Sequence, residues 1–185
     1  MTRPAIEVVD YDPAWVDLAA IAIIELRSVL HGTTPEIEHI GSTAVPGLAA
    51  KPTIDLMAAV DRLDLVEEHE NELADLGYCR HFNGMADRLL FVRSAEERRT
   101  HILHVVTLDT WATRNQRLLR DYLRDHPRDV ERYARLKKTL AAASIHPGDY
   151  AKAKTDLIQE LTDRARAELG LPSVPVWEKA SRSDS

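Results

Sequence analysis

From Thr53 to Val60 the chain reads Thr-Ile-Asp-Leu-Met-Ala-Ala-Val, apolar at almost every position and broken by one charge, Asp55. A strand with one wet face alternates polar and apolar side chains, so an unbroken apolar run marks a strand covered on both faces. This segment is therefore predicted to be a central strand of a sheet flanked by helices. Side chains two apart share a face, which places Asp55 with Thr53 and Met57 and turns Ile54, Leu56 and Ala58 the other way. An ionised carboxylate in such surroundings must be paired, capped or metal-bound.

The residues upstream sharpen that expectation. Ile37 to Ile40 reads as a short strand running into Gly41-Ser42-Thr43, and Pro46-Gly47 forbids a smooth helix through the next segment. Gly41 permits a backbone geometry that a β-carbon obstructs, and Ser42 is suited to capping a turn whose free N–H groups face an anion. Two readings stay open, a plain capped turn and a phosphate seat made by Gly41, Ser42 and Thr43. Lys51 likewise either neutralises Asp55 or holds a phosphate.

At 185 residues the chain is long enough to bury a core without disulfide or metal support. A net charge of −6 argues against nonspecific attraction to nucleic acid or anionic membrane, so an anionic ligand would need a local basic patch. The N-terminus lacks the apolar core of a signal peptide, and Trp15 to Leu30 is broken by Asp17, Glu25 and Arg27, so a cytoplasmic protein without a membrane span is expected. The lone Cys79 rules out an internal disulfide framework and is expected to be a small core residue.

The remaining pattern is α+β. A short strand is predicted over Ile6 to Val9, and a helix opens at Asp12-Pro13 with Trp15, Leu18, Ala19, Ala22, Ile23, Leu26 and Leu30 on its buried face. A second helix runs from Asp61 to Gly77, and three strands follow over Tyr78–Phe82, Asp87–Arg93 and Thr100–Leu108, with Asn83-Gly84 as a turn. From Asp109 onward the periodicity is wholly helical. One domain over 1–171 is expected, with a mixed sheet of about five strands in 1–109, helices in 110–171, and a frayed tail over 172–185.

Among polar candidates, His101 and His104 are three apart on a predicted strand and so fall on opposite faces, which disfavours a joint zinc site. His39, just before the Gly-Ser turn, is within reach of the same cleft. Arg120-Asp121-Tyr122 sits on a helix where mixed charge ordinarily marks a solvated face. Arg120, Arg124, Lys137, Lys152 and Lys154 are the basic groups available to a bound anion.

The chain resembles the GrpB family, which belongs to the nucleotidyltransferase superfamily and also occurs fused to dephospho-CoA kinase. The likeness rests on Tyr11-Asp12-Pro13-Ala14-Trp15, on Glu38-His39-Ile40-Gly41-Ser42-Thr43-Ala44-Val45-Pro46-Gly47-Leu48, on Lys51-Pro52 and on Ile54-Asp55. It continues through His101–Val106, Arg120-Asp121-Tyr122-Leu123-Arg124, Tyr133, Leu136-Lys137, Tyr150 and Lys154. The resemblance implies a nucleotidyltransferase-like fold, with Ser42 near the phosphates of a nucleotide or phosphorylated small molecule and Asp55 at the first metal position. It also shifts Arg120, Asp121 and Lys154 toward ligand binding. The expected cofactor is a divalent metal, magnesium or manganese ahead of zinc, and a nucleotidyl group is the candidate for transfer. Met57 stands where the superfamily carries a second carboxylate, and His104 lies on the strand that carries the third, as metal ligand or general base. Where the family pattern has a further histidine, this chain has Ile102. A noncatalytic binding or regulatory module, and a single-metal enzyme of another reaction type, are the alternatives those departures raise.

Overall fold

The computed structural model describes residues 7–82, 84–96, 98–143 and 147–176. Its centre is a five-stranded mixed sheet with strand order β1-β2-β5-β4-β3, made of β1 (Glu36–Ile40), β2 (Ile54–Val60), β3 (Tyr78–Arg80), β4 (Arg88–Ala95) and β5 (Arg98–Thr107). Only β2 and β5 pair in parallel, and the other neighbours are antiparallel. The apolar strand read from the sequence is thus interior, held between β1 and β5.

One face of the sheet is closed by α1 (Ala14–Val29) with α2 (Asp64–Glu67) and α3 (Glu70–Asp75). Asp12 starts α1 by accepting the Ala14 amide at 2.9 Å through Oδ1, satisfying one of the donors a helix start leaves unpaired. Trp15, Ala19, Ala22, Leu26 and Leu30 then fall on one stripe and pack on Leu56, Ala58, Leu103 and Val105. Full burial of a side chain such as Leu26 stabilises by about 1.5–3 kcal/mol. Leu18, expected on that face, is exposed because its position lies off the stripe.

The opposite face carries the polar chemistry. Glu38, Ile40, Asp55, Met57, Ile102 and His104 share it by register, and it is approached by α4 (Leu108–Trp111), α5 (Asn115–Asp125), α6 (Pro127–Ala142), α7 (Pro147–Ala153) and α8 (Thr155–Glu168). These helices form a second core with Val45 and Leu48, in which Leu123, Val130, Tyr133, Leu157 and Leu161 pack together. Among the described residues no helix is long and apolar enough to cross a membrane.

Several sequence expectations need correction. Val9 makes only an isolated antiparallel bridge to Ala50, and the rest of the strand expected over Ile6 to Val9 is not formed among the described residues. The helix expected from Asp61 to Gly77 is two short helices, since His69 adopts φ −103°, ψ 11° at the start of α3. Cys79 is exposed, because β3 turns the larger Tyr78 into the core and the next residue outward. Pro172 to Val176 is docked rather than frayed: the Gln159 side chain donates to the Val174 carbonyl at 3.0 Å and accepts the Val176 amide at 2.9 Å. Asn83 of the expected turn, His146, and residues 177–185 of the tail lie outside the described residues.

Candidate functional site

The pairing of β1 with β2 builds the site. Ile40 lies opposite Asp55, so the chain leaves β1 directly over that carboxylate. Gly41 makes the exit with φ 72°, and a β-carbon there would stand 2.6 Å from Asp55 Oδ2 and 3.0 Å from Asp55 Cβ. Only glycine accommodates both the backbone angle and the close approach. A 3-10 turn over Ser42–Ala44 follows, its Ala44 and Val45 amides bonded back to Gly41 and Ser42.

His39 latches that turn. It shares the face of Leu56, opposite Asp55, and its Nε2 is 2.9 Å from Thr43 Oγ1. The Thr43 hydroxyl donates to the Thr53 carbonyl at 3.2 Å, so Nε2 carries the proton of a neutral imidazole. Burial drives the pKa of His39 down to about 4; Asp55 opposes the shift, while Arg124 and Arg120 add to it. His39 is therefore a structural support of the Gly-Ser turn.

Helix α5 holds the same turn from the other side. Arg117 grips Glu38 with Nε and Nη2 at 3.0 and 2.9 Å, and Arg120 Nη1 donates to Glu38 at 2.7 Å and to the His39 carbonyl at 2.9 Å. Arg120 Nε is also bonded to Asp121 at 2.7 Å. Burial works against the ionised Glu38, yet hydrogen bonds from Arg117 and Arg120 hold its pKa below the ordinary carboxylate value. Arg124 donates twice to the Ala44 carbonyl, at 3.0 and 2.9 Å. Arg120 and Asp121, candidates for ligand contact, are thus committed to positioning β1 and the turn. Glu38, Arg117 and Arg124 perform work that their sequence positions alone did not assign.

The cleft beside Asp55 has a volume of about 200 Å³ and is lined by Ser42, Thr43, Lys51, Thr53, Asp55, Arg99, Ile102, Lys137, Tyr150 and Lys154. Ser42, Thr43, Lys51, Asp55 and Lys154 are therefore brought together, with Gly41 against Asp55. Lys137, on the buried face of α6 with Val130 and Tyr133, is only 2% exposed and donates from Nζ to Ser42 Oγ at 2.9 Å. Its ammonium position lies 4.3 Å from the Tyr133 ring centre, and Lys154 Nζ lies 4.2 Å from that of Tyr150. Among the described residues, neither lysine forms an ion pair with a carboxylate. Burial, and then the charge of Lys154, push the pKa of Lys137 down to about 6, with Asp55 opposing. Burial and Lys51 push that of Lys154 to about 8, again against Asp55. Burial alone raises the Tyr150 phenol to about 12.

His104 and His101 separate as their spacing requires. His104 pairs with Met57 in register, on Asp55's face, and its Nε2 is 3.9 Å from Asp55 Oδ1. His101 pairs with Ile54 on the α1 face, near Tyr78, with Nδ1 3.0 Å from Thr100 Oγ1, and burial and Arg93 lower its pKa. His101 is outside the cleft. Ile102 stands beside Asp55 in the register and lines the cleft with an apolar side chain.

The donor set limits what metal fits. Among the described residues, no group of three or more histidine, cysteine or carboxylate side chains converges as a metal cage. A zinc centre takes three or four such donors, and none is assembled among the described residues. Magnesium commonly takes one or two carboxylates and completes its shell with water and substrate phosphate, which Asp55 alone can serve. His104 Nδ1 is buried without a partner, so ligation through Nε2 would strand an N–H in the core. Its geometry fits a neighbour of Asp55 better than a ligand.

The family model described as GrpB protein matches residues 5–164. The chain belongs to the GrpB family. Relatives include the UPF0157 protein YqkA of Bacillus subtilis, 33% identical over 165 residues, which cover 87% of this chain and 47% of YqkA. The chain thus spans about half the length of that relative. The glutamate-rich protein GrpB of Alkalihalophilus pseudofirmus is 33% identical over 74% of this chain and 82% of its own. A dephospho-CoA kinase of Mycobacterium bovis is 34% identical over 43% of this chain and 20% of its own. The crystal structure of conserved protein GrpB from Enterococcus faecalis superposes with a TM-score of 0.80 and 31% identity, covering 89% of this chain and 99% of that one. The Cid1 poly(U) polymerase with MgGTP bound matches with a TM-score of 0.52 and 20% identity over 72% of this chain and 44% of that one. This GrpB-family chain therefore has a nucleotidyltransferase-like fold.

Proposed function

We propose that this GrpB-family protein binds the phosphate groups of a nucleotide or phosphorylated small molecule in the cleft between Ser42, Asp55 and the lysines. The observation that carries the reading is the pair Lys137 and Lys154. Two lysines turned into one cleft without carboxylate partners carry charge there only at a cost, and an anion relieves that cost and favours their ammonium forms. Ser42 contributes a hydroxyl, and Lys51 and Arg99 add positive charge at the rim. Asp55 would hold one magnesium or manganese ion, which supplies charge neutralisation at the phosphate. The family's fold, shared with a polymerase crystallised with MgGTP, supports the same assignment.

Calorimetric titration with Mg²⁺ and ATP tests the proposal: binding is expected for the native protein and at least tenfold weaker binding for Lys137→Met. Equal affinity of the two proteins would sink it. Met57 and Ile102, apolar where acidic or imidazole groups would complete a metal pair, favour a second reading in which ligand is bound without nucleotidyl transfer. Turnover of a nucleoside triphosphate by the native protein, abolished in Asp55→Asn, would exclude that reading.

A further inference from the structure

A cavity of about 420 Å³ opens beside His104, where the start of β4 meets the turn between α4 and α5, and Val174, Pro175 and Val176 give it an apolar wall. Its size falls in the range of roughly 300–1,000 Å³ found for small-molecule sites. It shares no lining residue with the lysine cleft beside Asp55. Its charge is one-sided, since Arg88, Arg114 and Arg166 line it with a single carboxylate, Asp87. Arg114 spends all three nitrogens, with Nε on Thr110 Oγ1 at 3.0 Å, Nη1 on Asp87 Oδ2 and Nη2 on the Asp87 carbonyl at 3.1 Å. Arg88 grips the same carboxylate through Nε and Nη2 at 3.1 and 3.2 Å. Arg166 differs from both. It is only 5% exposed and, among the described residues, pairs with no carboxylate. Its Nε donates to the Pro172 carbonyl, and its Nη1 to the Thr113 carbonyl at 3.1 Å and to Asn115 Oδ1 at 2.9 Å. Among the described residues its Nη2 makes no hydrogen bond.

We infer that this cavity binds a small organic acid, whose carboxylate pairs with Arg166 and whose apolar body lies on Val174, Pro175 and Val176. A guanidinium keeps its charge in a protein interior, so it does not relieve burial by releasing a proton as a lysine does. Carbonyl acceptors fix the Arg166 side chain without neutralising it, and a buried charge left without an opposite charge is costly. Structural service explains Nε and Nη1, which tie α8 to Pro172, Thr113 and Asn115. It leaves Nη2 and the charge without a use. The planar fork of arginine matches a planar carboxylate, as Arg88 already does on Asp87. A phosphate dianion suits the cavity less, because it would bring two negative charges into a space that holds the Asp87 carboxylate. Nothing in this assignment depends on the lysine cleft being a phosphate seat.

The experiment titrates the full chain in a calorimeter with benzoate and hexanoate, with their uncharged amides benzamide and hexanamide, and with inorganic phosphate. At least one acid is expected to bind about tenfold tighter than its amide, because only the acid pairs with a guanidinium, and tighter than phosphate. Arg166→Gln is expected to weaken that acid about tenfold, and Arg88→Met, which lowers the positive charge of the cavity, about threefold. Lys137→Met, outside this cavity, is expected to leave the acid's affinity unchanged. Neither acid binding, or acid and amide binding equally, overturns the inference and leaves the phosphate proposal standing. Acid binding that survives Arg88→Met and is lost in Lys137→Met puts the anion in the lysine cleft and overturns it as well. Phosphate binding tighter than either acid, and weakened by Arg88→Met, overturns the carboxylate assignment. Where Arg166→Gln fails to fold for want of its hold on Pro172, Arg88→Met decides, and an unchanged acid affinity in that variant is refutation.

Discussion

Replacing Lys137 with methionine is expected to stabilise the protein while removing its ligand affinity. In the unfolded chain a lysine titrates near 10.5, whereas in the fold burial and Lys154 bring Lys137 to about 6. Between those values the unfolded state binds the extra proton, so stability contributed by this site rises with pH from about 6 to 10.5 and is at its lowest below about 6. At pH 7 the penalty, at about 1.4 kcal/mol for each unit of pH below the unfolded value, is on the order of 5 kcal/mol. Methionine keeps the length of the side chain and removes that penalty, but it forfeits the bond to Ser42 Oγ, worth about 1 kcal/mol, and leaves some strain around Tyr133. A net gain of about 2–4 kcal/mol corresponds to an increase in Tm of roughly 4–16 °C for a domain of this size. Differential scanning calorimetry from pH 6 to 9 reads both parts. The native protein should gain stability across that range, and Lys137→Met should show a shallower slope and a higher Tm at pH 7. A lower Tm in the variant, or a native profile without the upward slope, would refute the account of Lys137 as a buried lysine whose ammonium form the fold leaves uncompensated. Such a trade of stability for ligand affinity is the usual signature of a binding site.

Three further outcomes follow from the same geometry. Affinity for a phosphate ligand should fall as pH rises from 6 to 9, because the anion binds protonated lysine and Lys137 and Lys154 lose protons near 6 and 8; calorimetry in two buffers of different ionisation enthalpy should register proton uptake at pH 7.5. Gly41→Ala is expected to lower stability by about 1–3 kcal/mol in a chemical denaturation curve and to abolish Mg²⁺-dependent binding, since its β-carbon meets Asp55 Oδ2 and φ stays positive. Glu38→Ala should be more damaging, about 3–5 kcal/mol, because it leaves Arg117 and Arg120 partly buried without their shared carboxylate, and urea melts against Glu38→Gln separate charge from shape.

The parts of this fold that were legible in the sequence are those whose signal is local. The apolar run with one aspartate predicted β2 and its sidedness, because burial on both faces leaves no room for alternation. The three-residue spacing of His101 and His104 predicted their separation for the same geometric reason. The division of α2 from α3 was hidden, since Val66 and Leu73 both turn toward α1 and the apolar spacing runs through the break. In the sequence Lys137 is one of several basic groups, since its contact with Ser42 spans 95 residues and leaves no local trace. A signal was present: Lys137 follows Val130 and Tyr133 at helical spacing, which puts a lysine on a face that should have been wholly apolar. The Glu38 clamp, spanning 79 and 82 residues to Arg117 and Arg120, was invisible for the same reason.

The same packing explains why the missing second carboxylate is not a local gap waiting to be refilled. Met57 is fully buried and belongs to a small core with Ile40, Ala59, Val106 and Trp111, between β2 and α4. An aspartate there would sit between Glu38 and His104 in the register, packed against that apolar cluster and outside the lining of the lysine cleft, and burying its charge costs more than one weakly held cation returns. The change that suits this cleft is at Ile102, which lines it and stands opposite Asp55 in the register. Ile102 lines the cleft, whereas Met57 does not. The two positions thus differ in kind: Met57 belongs to the hydrophobic core, and Ile102 borders the cleft with an apolar side chain. On the proposed reading, anion binding in this cleft therefore depends on Lys137 and Lys154, which line it beside Asp55.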